Sequence, residues 1–127
     1  MKKVMVVVCL WMLACQEAPK QEAPVQVQAS AEDVEKGQAL YKRYGCAVCH
    51  GRMGNGNGQI ARTLNPRPRD FNNVRDYKYG RSIDAITRTI GKGTINEQGM
   101  GMPGYPQIPE AERKLIAAFV VSLQEEK

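Results

Sequence analysis

From residue 30 onward the apolar positions fall into three stretches with a helical period. In the first, Val34, Leu40, Tyr41 and Tyr44 share a stripe with Gly37. Ser30 stands where an N-cap belongs, Asp33 follows one turn later, and Gly45 is a stop signal. The second stretch places Ile83, Ile86 and Ile90 behind the cap residue Ser82 and ends at Gly91-Lys92-Gly93. The third runs from Pro109 to Glu126, with acids at its start and Ile116, Phe119, Val120 and Leu123 on one face. No strand–helix–strand pattern accompanies them. The pattern predicts an all-α domain with three main helices.

The intervening segments read as loops. Gly51 to Gly58 is turn-rich, and its glycine spacing matches no phosphate loop. Leu64-Asn65-Pro66-Arg67-Pro68-Arg69-Asp70-Phe71 is extended, because a residue before proline avoids the helical region. Gln98 to Tyr105 carries Met100 and Met102 among glycines, with Pro103 stiffening it.

The N-terminus follows a different pattern. Met1-Lys2-Lys3 precedes eleven uncharged, mostly apolar residues, Val4 to Ala14. A membrane span needs about 20, so the run reads as a secretory signal over residues 1–14. Its end, Leu10 to Cys15, resembles a bacterial lipoprotein box, although Met12 stands where leucine is usual and Leu13 is bulky for its place. That resemblance makes Cys15 a lipidated residue and a membrane-surface anchor; an ordinary cleavage nearby and an uncut anchor are the alternatives. Residues 15–30 then form a tether rich in Gln, Glu, Ala and Pro, with too little apolar surface to fold, and residues 31–127 form the domain.

Charge adds a bias. The formal net charge is +5, and between Lys36 and Lys92 twelve Lys or Arg face three Asp. With few aromatics and no nucleic-acid fold motif, this basicity argues only weakly for a nucleic-acid partner; the expected partners are an acidic protein or an anionic surface, not a nucleic acid.

The chemistry concentrates in Cys46-Ala47-Val48-Cys49-His50. Cys-x-x-Cys-His reads as a c-type haem attachment site: two thiols add across the haem vinyl groups, and the adjacent histidine supplies an imidazole to the iron. A closed zinc site needs four ligands, whereas His50 is the only histidine and Cys9 and Cys15 lie in the leader. A dithiol redox motif would sit beside a strand–helix–strand unit. A plain disulfide is the remaining alternative.

Glu32 to Tyr41 followed by this motif resembles the N-terminal helix and haem site of class I c-type cytochromes. The resemblance implies three main helices and loops around one covalent haem c. It implies that Gly37 and Tyr41 meet Ile116 or Phe119 of the last helix, and that a proline carbonyl, Pro66 or else Pro68, accepts the other N–H of His50. Tyr77, Tyr79 and Arg81 are candidates for haem propionates or for plain surface.

For the second axial position a second histidine is unavailable to this chain. Of six methionines, Met1, Met5 and Met12 lie in the leader and Met53 is too near His50 to reach the opposite haem face, leaving Met100 and Met102. The family commonly places its axial methionine directly before a proline, which points to Met102, with Met100 second. The expectation is a single-electron carrier, not an enzyme, in an extracytoplasmic or periplasmic space, with acidic redox proteins as partners. The competing expectations are a haem enzyme or gas sensor with an open distal side, and a fixed cytochrome subunit of a larger complex.

Overall fold

A computed structural model describes residues 29–124. Four α-helices carry the architecture: α1 (Ala31–Arg43), the one-turn α2 (Cys46–His50), α3 (Ile83–Lys92) and α4 (Glu110–Ser122). Short 3-10 turns lie at Ala61–Thr63 and Val74–Asp76. Among the described residues there is no strand, only an isolated bridge between Asn55 and Asp70. The all-α expectation holds. The signal and Cys15 lie outside the described residues, as does the tether up to residue 28.

Local chemistry sets the helix ends. Ser30 and Asp33 form a reciprocal capping box, with the Asp33 amide donating to Ser30 Oγ at 3.1 Å and the Ser30 amide to Asp33 Oδ2 at 3.3 Å. Gly45, with φ at 75°, turns the chain between α1 and α2. Ser82 caps α3 by accepting from the Ala85 amide at 3.2 Å. α4 stops at Ser122, short of the Glu126 that the apolar stripe suggests. Its end tightens into i→i+3 bonds, Leu123 to Val120 and Gln124 to Val121, and the Gln124 side chain donates to the Arg81 carbonyl.

The core is the seam where α4 packs against both α1 and α3. Tyr41, Ile86, Ile90, Ile108, Ile116, Ala117, Phe119 and Val120 form one buried cluster. The isoleucines of α3 thus face α4, with Ile83 partly buried beside them. Tyr41 lies against Phe119 with ring centroids 5.2 Å apart. Gly37 is buried at the α1–α4 crossing, where a Cβ would meet the Leu115 carbonyl and sit 3.0 Å from Phe119 Cβ. Phe119 therefore fills its expected place, while the close backbone approach is to Leu115 and not to Ile116. Tyr44 closes the far end of the seam by donating to Glu112 Oε2 at 2.6 Å.

Candidate functional site

α2 delivers both thiols and the histidine from one helical turn. The Cys46 and Cys49 thiols are half-buried and not joined to each other. Burial, the largest influence, pushes the Cys46 thiol up to about 11. A thiol whose pKa is raised is a poor nucleophile for dithiol exchange, which needs thiolate. Among the described residues no group of three or more His, Cys, Asp or Glu gathers to hold a metal ion.

So short a helix leaves its terminal carbonyls without intrahelical partners. The glycine-rich loop supplies them. The amides of Ile60, Gly58 and Gly56 donate to the carbonyls of Val48, Cys49 and His50 at 3.2, 3.1 and 2.9 Å. Gly58 must lack a side chain, since a Cβ there would meet the Val48 carbonyl and lie 2.5 Å from the Cys49 carbonyl. From the α1 side, the buried Tyr41 hydroxyl donates to the Gly51 carbonyl at 2.7 Å. The attachment segment is thereby fixed by main-chain bonds along its length.

His50 is oriented through its ring. Its Nδ1 lies 3.2 Å from the Arg69 carbonyl. A carbonyl only accepts, so Nδ1 carries the proton and Nε2 keeps its lone pair. Burial holds the imidazole pKa below the ordinary value, partly offset by that hydrogen bond, which favours the neutral ring a metal requires. The ring stacks on Phe71, centroids 4.6 Å apart and planes 21° from parallel. Segment 69–71 is itself pinned, its Phe71 amide donating to the Gly54 carbonyl at 2.7 Å and its Phe71 carbonyl accepting from the Tyr77 hydroxyl at 3.0 Å.

The expected acceptor was Pro66 or Pro68; the structure gives Arg69, one residue beyond the second. Pro68 is turned to a neighbouring contact, its carbonyl oxygen lying 2.5 Å from where a Cβ of Gly56 would be. The Tyr77 hydroxyl is engaged by Phe71, whereas Tyr79 is 52% exposed with Lys78 over its ring. Phe71 and Arg69 escaped the sequence reading. An aromatic after a proline-rich stretch is a weak signal, and a main-chain acceptor leaves none.

Met102 sits on a different segment, the loop between α3 and α4. It is half-buried, while Met100 is 38% exposed. The loop is tied to α3 where the Tyr105 amide donates to the Ile90 carbonyl at 2.8 Å. The Tyr105 hydroxyl pKa is raised, first by burial and then by the Cys46 and Cys49 thiols, so this end of the loop lies within electrostatic reach of the attachment turn. Ile60, Leu64 and Ile95 carry open apolar surface. Two thiols not joined to each other, an imidazole with a free Nε2 and open apolar side chains fit a haem group held by α2.

The Cytochrome c family profile matches residues 34–124. Among solved structures, the chain is similar to one from the Kuenenia stuttgartiensis reducing HAO-like protein complex, with 31% identity and a TM-score of 0.62. That likeness covers 71% of this chain but only 42% of the other, so this chain spans less than half of that relative's length. No curated protein matches.

Proposed function

The chain belongs to the cytochrome c family, a carrier of covalently bound haem c, and on that premise we propose that it transfers single electrons with His50 and Met102 as axial ligands and Cys46 and Cys49 as thioether tethers. Bound haem c supplies the one-electron iron couple. The observation that carries the reading is the fixed proximal imidazole: Nδ1 held by the Arg69 carbonyl and Nε2 free, on the same turn as two unpaired thiols.

Each residue then has a defined task. The thiols fix the porphyrin edge to α2. The Arg69 carbonyl and Phe71 hold the imidazole plane, and donation from Nδ1 makes the ring a stronger electron donor. The Met102 thioether, a soft and weakly basic donor, favours the reduced state and raises the potential. If His50 and Met102 both held the iron, no position would remain for a substrate, which is why a carrier is favoured over an enzyme.

The deciding experiment is an absorption spectrum through a redox titration. Ferric wild type is expected to show the weak far-red sulfur-to-iron band, lost in Met102→Ala and kept in Met100→Ala. The reverse pattern would transfer the ligand to Met100, and absence of the band in wild type would favour an open-sided haem enzyme or sensor.

A second reading has one specific support. The relative in the Kuenenia complex makes a fixed subunit of a redox assembly a real alternative to a free carrier. Purification of the holoprotein from its own membrane separates them: a monomer supports the carrier, and a stoichiometric complex supports the subunit. Extracytoplasmic anchoring through a lipidated Cys15 is part of the same proposal; an intact, unmodified N-terminus by mass spectrometry would remove it.

A further inference from the structure

The loop that bears Met100 and Met102 is built as two rungs. Thr94 follows directly on Gly93, the C-cap of α3, whose amide donates to the Thr89 carbonyl at 2.7 Å. From that anchored position Thr94 engages Met102 twice. Its amide donates to the Met102 carbonyl at 2.8 Å, and its Oγ1 accepts from the Met102 amide at 3.0 Å. Asn96 treats Met100 in the same way: the Asn96 amide donates to the Met100 carbonyl at 2.9 Å, and its Oδ1 accepts from the Met100 amide at 2.9 Å. The rungs differ in surroundings. Thr94 and Met102 are half-buried, whereas Asn96 and Met100 are exposed.

Two methionines two residues apart create a problem of register. A slip of the loop by two positions would exchange one thioether for the other. Main-chain pairing alone does not distinguish the registers, because both rungs offer an amide and a carbonyl. Each side-chain acceptor adds a second bond that holds its rung in the register observed, and only the inner one is β-branched, with its χ1 restricted and its hydroxyl therefore held in place. We propose that Thr94 is a positioning residue that fixes Met102 as the axial donor and keeps the loop closed over the iron. The inference rests on the assignment of Met102 as ligand.

Replacing Thr94 by valine keeps the shape and the main-chain bond but leaves the Met102 amide without its acceptor. An unsatisfied half-buried donor destabilises the closed loop and raises the population of the open, methionine-off loop about tenfold or more. The experiment compares ferric holoprotein carrying Thr94→Val, Thr94→Ala, Thr94→Ser and Asn96→Ala with wild type. The readouts are the sulfur-to-iron band, the reduction potential and titration with imidazole, an exogenous ligand that enters only when methionine leaves. Thr94→Val and Thr94→Ala are expected to weaken the band, lower the potential and tighten imidazole binding about tenfold. Thr94→Ser, which restores an acceptor, and Asn96→Ala, which frees only the outer rung, should resemble wild type. Either of the first two variants suffices if the other does not fold. Wild-type behaviour in both, or an equal effect of Asn96→Ala, would overturn the role of Thr94 while leaving Met102 as ligand. Absence of the band in wild type itself would instead remove the ligand assignment, and the positioning role with it.

Discussion

The Tyr41 hydroxyl is a single buried group that joins two parts of the molecule, α1 and the turn after His50. It donates to the Gly51 carbonyl at 2.7 Å while its ring fills the core against Phe119. Tyr41→Phe keeps the ring and removes this bond, leaving the carbonyl with the Gly54 amide at 3.2 Å as its donor, so chemical denaturation of the holoprotein at pH 7 should show a loss of about 1 kcal/mol. Burial raises the Tyr41 pKa above the ordinary tyrosine value. The stabilisation is therefore complete below the unfolded value near 10 and declines as pH rises past it, where the unfolded chain ionises first. The difference between the two proteins should shrink above about pH 10. Residues at this scale were legible where covalent chemistry dictates side-chain type and spacing, as at Cys46, Cys49 and His50. They were not legible where the main chain does the work. Any residue can present the Arg69 carbonyl, and the sequence pointed instead to Pro66 and Pro68.

At the scale of elements, the helices were readable because burial of one face demands a period, and caps and glycines punctuate it. The limits lie at their ends and in what they touch. The stripe of α4 continues past Ser122, yet the chain there tightens into i→i+3 bonds and the Gln124 side chain bonds the Arg81 carbonyl. Gly37 shows how a contact decides the sign of an effect. At an exposed helical position, glycine to alanine gains about 1 kcal/mol. At this crossing a Cβ would meet the Leu115 carbonyl and press on Phe119, and overpacking costs about 1–3 kcal/mol. Gly37→Ala should therefore lower the denaturation midpoint of the holoprotein, and a rise would refute the close approach. In the sequence the glycine-rich loop shows only its turns. Its role in satisfying three consecutive carbonyls of α2 depends on pairings across six to twelve residues that no periodicity announces.

At the scale of the whole molecule, charge is distributed unevenly. Residues 36–69 include seven lysines or arginines and not one acid. If the redox partner is acidic, as proposed from this charge, encounter would be steered over distances that salt shortens, the Debye length being about 10 Å at 0.1 M. The second-order rate of electron exchange should fall about tenfold or more between 10 mM and 0.5 M salt, while exchange with an uncharged small reductant should barely change. Insensitivity with both would remove the electrostatic role. The hydrogen bond from His50 to Arg69 has a separate consequence, for how such a carrier could evolve. Its acceptor belongs to the main chain, so replacing the side chain at position 69 leaves it in place; removing it takes an altered loop length or a re-routed backbone. On the other side of the iron, in the proposed ligation, the grip on Met102 includes one hydroxyl that a single codon change deletes. Variation would then be unequal across the haem plane, with the proximal donor sheltered from point mutation and the distal one open to gradual adjustment of the potential.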